Sequence, residues 1–133
     1  MKVSTGEKTS SLPTLCEEVS RTMKLNHVNL TVTDVPAAAN FLETYFGLRN
    51  QGGNKGFTVL FDDDNLVLTL MKAGQVSYPG TFHIGFVQES EERVNEIYQR
   101  LKDDGFEMKP PERSHAWTFY VQAPGGFLVE VLA

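Results

Sequence analysis

From Leu25 onward the chain alternates. In LNHVNLTVT the set Leu25, His27, Asn29, Thr31 interleaves with Asn26, Val28, Leu30, Val32, the period of two expected of a strand with unlike faces. Asp34 then stands where a helix N-cap belongs, with Pro36 in the first turn. Ala38, Phe41, Leu42, Tyr45 and Phe46 recur at helical spacing as a stripe for burial, and Gly47 supplies the stop. Leu48 and Arg49 open a strand that runs into a glycine-rich turn at 51–54. GFTVLF and LVLTLM, joined by the acidic turn Asp62-Asp63-Asp64-Asn65, predict a hairpin. After a linker over 74–80 the order returns. FHIGFV is a strand, Ser90-Glu91-Glu92-Arg93 opens a helix carrying Val94, Ile97, Tyr98 and Leu101, and Asp103-Asp104-Gly105 ends it. Residues 106–108 predict the start of a strand and 110–114 a loop; AWTFYVQ and FLVEVLA are strands around the turn Ala123-Pro124-Gly125-Gly126. Ahead of all this, residues 1–22 form a polar extension in which Leu12, Leu15, Val19 and Met23 predict a short helix from about Pro13.

The second half repeats the first. NHVNLTV lies over FHIGFVQ with His27 on His83, and the helical stripes match with Ala38 on Val94, Phe41 on Ile97, Leu42 on Tyr98 and Tyr45 on Leu101. The closing strands superpose as NLVLTLM on GFLVEVL, which sets Thr69 on Glu130. One βαβββ unit alone exposes an apolar sheet face, so two must combine, within the chain or between chains. The predicted fold class is therefore α+β: two tandem modules, about 23–73 and 80–133, in one domain over 23–133, curved as a half-barrel around a cavity.

The repeat singles out three side chains. His27 and His83 hold equivalent places in opening strands, and Glu130 holds a place in a closing strand that is otherwise apolar. Burying an unpaired carboxylate there costs several kcal/mol, and a metal ion removes that cost. The alternative for a lone strand histidine is a core hydrogen bond; three convergent positions favour a metal site.

Composition narrows the class. At 133 residues, 41% hydrophobic and 22% charged, the chain suits one globular domain. A net charge of −5 without a Lys/Arg-rich stretch argues against nucleic acid and anionic membrane as partners. No apolar run approaches the roughly 20 residues that span a bilayer, and the first residues lack the apolar stretch of a secretory signal. A single cysteine, Cys16, forms no internal disulfide and has no base placed beside it, so it reads as a packed or exposed side chain in a cytoplasmic protein.

LNHVNLTVTDVPAAANFLETYFGL, FHIGF and FYVQAPGGFLVEVL, in that order and spacing, resemble the glyoxalase, bleomycin-resistance and extradiol-dioxygenase superfamily, also called the vicinal oxygen chelate superfamily. The resemblance implies four metal positions, one on the opening and one on the closing strand of each module. His27, His83 and Glu130 fall on three; Thr69 falls on the fourth and is a poor ligand, which lowers glyoxalase I. Ala123 departs from the Asp that many members have before the Pro-x-Gly turn, with the turn rather than the metal expected to change. The resemblance implies one divalent ion (Fe, Mn, Zn, Ni or Co, undistinguished by sequence) and a small, oxygen-chelating, partly apolar substrate. Lyase, dioxygenase or transferase chemistry all fit, with a metal-free or vestigial drug- or metabolite-binding protein of the bleomycin-resistance type as the alternative and a structural or regulatory domain with a vestigial site as a third class. Fosfomycin transfer is disfavoured because no basic tail follows Glu130, and methylmalonyl-CoA epimerisation because no basic cluster suits the CoA phosphates. Small members pair, so a homodimer is expected.

Strand parity nominates the cavity lining: Asn29 and Thr31 beside His27, Gly85 and Val87 beside His83, Val67, Thr69 and Met71, then Phe57, Val59 and Phe61, and Thr118 with Tyr120. Substrate contacts are expected from Asn29, Thr31, Phe57, Thr69, Trp117 and Tyr120. Tyr120 matches a tyrosine that fosfomycin-resistance members keep near the substrate, and its phenol could donate to a developing oxyanion; the other reading is a barrel aromatic with a solvated hydroxyl. His115, in the loop before that strand, is a candidate acid or base, or else a solvated loop histidine.

Overall fold

The computed structural model describes residues 23–133, so the predicted helix from Pro13 and Cys16 lie outside the described residues. The elements run β1 (His27–Val32), α1 (Val35–Phe46), β2 (Arg49–Gly53), β3 (Phe57–Phe61), β4 (Val67–Lys72), β5 (Ile84–Val87), α2 (Glu91–Asp103), β6 (Glu112–Arg113), β7 (Trp117–Ala123) and β8 (Phe127–Leu132). They form two four-stranded sheets of the same design, β1-β4-β3-β2 and β5-β8-β7-β6. In each, the opening strand lies parallel to the closing strand and the other pairs are antiparallel. The registers agree too: Asn29 opposes Thr69 as Gly85 opposes Glu130, which is the repeat read from the chain, now in space.

Local chemistry sets each helix. The Asp34 carboxylate accepts the Ala37 amide at 3.0 Å, and Gly47 ends α1 in the left-handed region at φ 68°, a conformation glycine adopts without a Cβ penalty. The Ser90 hydroxyl accepts the Arg93 amide at 3.1 Å; Glu91 and Glu92 in the first turn of α2, and Arg100 and Lys102 in the last, complement its dipole. Val35, Ala38, Phe41 and Leu42 of α1 bury one face of the first sheet at Leu30, Val32, Leu60 and Leu70; Val94, Ile97 and Leu101 of α2 belong to the same buried core as Phe119, Val121, Val129 and Val131 of the second. Aromatic contacts join the modules, with Phe46 stacked on Phe86 at 4.3 Å and Phe41 tilted against Phe106 at 5.4 Å. Gly125 leaves no room for a side chain against Val32 and Ala38, and its carbonyl accepts the Thr33 amide. The phenol of Tyr78 in the linker receives the Thr31 amide and donates to the Thr31 carbonyl, satisfying backbone groups on the free edge of β1.

Helices cover one face of each sheet and leave the other open, which makes the curved half-barrel. On the open faces Phe57 is 38%, Met71 46% and Val87 78% exposed.

Three boundaries differ from the sequence reading. The segment 106–111 is not a strand; Pro110 and Pro111 have no N–H to give a ladder, and pairing begins only at Glu112 inside the expected loop. Strand β2 extends through Gly53 across a bulge between Asn50 and Gly52, so the turn comes later than 51–54. β5 starts at Ile84, not Phe82, because Phe82 turns away to stack on Tyr78 at 4.4 Å.

Candidate metal and substrate site

Glu130 lies in β8 between Gly85 of β5 and Tyr120 of β7. Alternation turns Phe127, Val129 and Val131 into the core and Glu130 to the open face. It is nevertheless only 5% exposed. Thr118 Oγ1 donates to Glu130 Oε2 at 2.6 Å, and that hydroxyl also lies 3.1 Å from the Val131 carbonyl. His115 Nε2 donates to the same Oε2 at 2.6 Å, while its Nδ1 lies 2.9 Å from the Ser114 hydroxyl. On the other side His83 Nε2 approaches Oε1 at 3.2 Å. The Tyr120 ring meets His83 edge-on at 5.4 Å.

These neighbours decide the charge. Burial pushes the Glu130 carboxyl up, but hydrogen bonds from Thr118 and His115, the charge of His115 and a hydrogen bond from Tyr120 outweigh it and hold the group below its ordinary value of 4.5. The same contact acts in reverse on Tyr120: desolvation, then the charge of Glu130 and the hydrogen bond to it, raise the phenol.

His83 Nδ1 lies 3.0 Å from the Thr81 carbonyl, which can only accept, so Nδ1 carries the proton. In the neutral ring Nε2 then points a lone pair at an ionised carboxylate oxygen. Two acceptors facing each other need a cation, either a proton on Nε2 or a metal ion. Their 3.2 Å separation equals that of adjacent ligands on one ion with bonds of about 2.0–2.2 Å. The donor set and its spacing fit a divalent metal, with the carbonyl partner of His83 fixing the ring as ligating histidines require.

The other predicted residues divide between two places. His27 lies on the first sheet, exposed, with Nδ1 3.4 Å from Asn26 Oδ1. Asn29, Thr31, Phe57 and Thr69 share that open face, where Thr69 Oγ1 donates to Asn29 Oδ1 at 2.6 Å and so turns the Asn29 amide nitrogen outward. Among the described residues no three His, Cys, Asp or Glu side chains of one chain come together as a metal cluster. One chain thus joins His83 with Glu130 and keeps His27 apart. Trp117, expected in the cavity, stands elsewhere: it lies on the face of β7 opposite Thr118 and Tyr120, its indole N–H donating to Asn95 of α2 at 2.8 Å with Arg113 over the ring. The hydroxyl of Thr118 and the closure of His115 onto Glu130 escaped the sequence reading. Parity alone placed Thr118 on the right face, but nothing local foretells the path of the loop carrying His115.

Fold and site define a class: a duplicated βαβββ protein with a buried carboxylate beside an exposed imidazole in its second module. The family profile described as Glyoxalase/Bleomycin resistance protein/Dioxygenase superfamily matches residues 24–131, and the chain belongs to that superfamily. Among solved structures it is similar to a possible glyoxalase from Bacillus cereus, with 56% identity, a TM-score of 0.81, and coverage of 84% of this chain and 100% of that one. It is also similar to the fosfomycin resistance protein FosX from Listeria monocytogenes, with 25% identity, a TM-score of 0.72, and coverage of 84% and 93%. Lactoylglutathione lyase from Agrobacterium tumefaciens shares the fold at 18% identity, a TM-score of 0.66, and coverage of 82% and 92%. Among curated proteins no sequence matches significantly. Among the described residues no helix is long and apolar enough to cross a membrane.

Proposed function

We propose that the chain is a metal-dependent enzyme acting on a small, oxygen-chelating, partly apolar molecule, and that it works as a homodimer in which His27 of the partner subunit completes the ligand set begun by His83 and Glu130. The observation that carries this reading is the approach of His83 Nε2, whose Nδ1 is turned to the Thr81 carbonyl, to Oε1 of the buried Glu130 at 3.2 Å. A point variant of FosX from Listeria monocytogenes, solved with Mn(II) and 1S,2S-dihydroxypropylphosphonic acid, supports a divalent ion and an oxygen-rich ligand. The open sheet faces support pairing, because a lone chain leaves Phe57, Met71 and Val87 in water.

When bound, the ion supplies Lewis acidity to a substrate chelating through two neighbouring oxygens. The chain's own groups supply the rest. Tyr120, edge-on to His83 at 5.4 Å, keeps its phenol proton and shifts its hydrogen bond from Glu130 to an oxyanion formed near His83. The Asn29 amide, aimed by Thr69, donates to a second substrate oxygen, and Phe57 and Met71 form an apolar wall that excludes water.

The test is metal stoichiometry in mixed dimers. Wild type purified without chelator is expected to hold one divalent ion per chain, and His27→Ala and Glu130→Ala none. Mixing the two variants then regenerates one intact site per heterodimer if His27 acts across the interface. Wild type without stoichiometric metal defeats the metal reading in favour of a metal-free binding protein; variants that hold no metal after mixing defeat the shared site.

A further inference from the structure

The two oxygens of Glu130 are treated differently. Oε2 receives two donors at 2.6 Å, from Thr118 and from His115, while Oε1 faces His83. A carboxylate free to rotate can give a metal both oxygens and fill two coordination positions, or give one and leave the second position to a ligand. Here two hydrogen bonds hold one oxygen back.

We propose that His115 and Thr118 are positioning residues that occupy Oε2, so that Glu130 meets the ion through Oε1 alone and leaves a coordination position for a chelating substrate. The inference rests on the metal reading above and concerns how that site stays open. His115 has no nitrogen left for a substrate proton. Its Nε2 faces Glu130 at 2.6 Å, and its Nδ1 pairs with the Ser114 hydroxyl at 2.9 Å. A chain Ser114 to His115 to Glu130 therefore sets the ring plane, and the expected acid–base role gives way to one of alignment. Thr118 reaches the same oxygen from within the sheet; it opposes Leu132 in the ladder and is 2% exposed, so its hydroxyl has little freedom. One donor comes from the rigid strand and one from the loop, and between them they fix the carboxylate plane.

The experiment uses Co(II) as probe and reads binding and spectrum, not turnover. His115→Ala is expected to weaken Co(II) binding by about 10- to 100-fold by calorimetric titration, as loss of an outer partner does at metal sites. The visible d–d bands of the Co(II) protein are expected to weaken as well, because the freed oxygen joins the ion and raises the coordination number. His115→Gln presents an amide nitrogen at similar reach and is expected to restore both. His115 is 55% exposed in its side chain, so the melting temperature of the metal-free variant is expected to stay near wild type, which separates alignment from a general loss of structure. Thr118→Ser keeps the hydroxyl and is expected to behave as wild type, whereas Thr118→Val follows His115→Ala. Unchanged affinity and bands in His115→Ala, or a Gln variant no better than Ala, overturns the inference while leaving the metal site standing. A wild type that takes up no Co(II) overturns both.

Discussion

Gly125 shows how much one residue can carry. Its φ is +98°, and a Cβ built there would lie 2.9 Å from Cβ of Val32 in the other module. Both the dihedral and the space demand glycine, at the point where the β7–β8 turn docks on β1. Gly125→Ala is expected to cost about 1–3 kcal/mol in chemical denaturation, with the native fold retained. Tyr45 ties the modules differently. Its hydroxyl donates to Asp104 at 2.5 Å, and burial, that hydrogen bond and the Asp104 charge push its pKa up to about 12 against the opposing effect of Arg100. A folded pKa above the unfolded 10.0 means the contribution is whole below pH 10 and is lost as pH rises toward 12. Tyr45→Phe is expected to lower stability by about 1–2 kcal/mol at neutral pH. The gap to wild type is expected to shrink through that alkaline window in denaturation series. A gap that does not vary with pH would show that the hydrogen bond is not the cause.

Elements explain why His27 and Glu130 point as they do. β1 alternates strictly, so the face that buries Leu30 and Val32 against α1 commits His27, Asn29 and Thr31 to the open side. The helix that enforces this begins at Asp34, and Asp34→Ala is expected to cost about 1 kcal/mol through loss of the cap, readable as a lower melting temperature with unchanged metal content. These features were legible because caps, stops and periodicities are set by a few consecutive residues: Asp34, Pro36, Gly47 and Ser90 act where they stand. The strand placed at 106–108 was misjudged because the limiting fact is pairing. Phe106 instead packs on Phe41 and Tyr45, and two prolines postpone the ladder to β6.

For the molecule as a whole, two half-open sheets in one chain leave apolar side chains in water, which the proposed pairing would cover. A homodimer is expected, seen as twice the chain mass by light scattering, and Val87→Glu on the open face of β5 is expected to shift it toward monomer and to empty the metal site with it. A Val87→Glu dimer of wild-type strength would place the interface elsewhere. The duplicated architecture, the helix and strand faces, and the correspondence of His27 with His83 and of Thr69 with Glu130 follow from the sequence by itself, since repetition and alternation are properties of the string. Tertiary structure alone decided which of those side chains meet. It brought His83 to Glu130 and kept His27 on the other sheet, laid His115 and Thr118 on one carboxylate oxygen, and turned Trp117 toward α2. Those outcomes depend on sheet register, loop path and module docking, which sum contacts between residues far apart in the chain and leave no local mark in it.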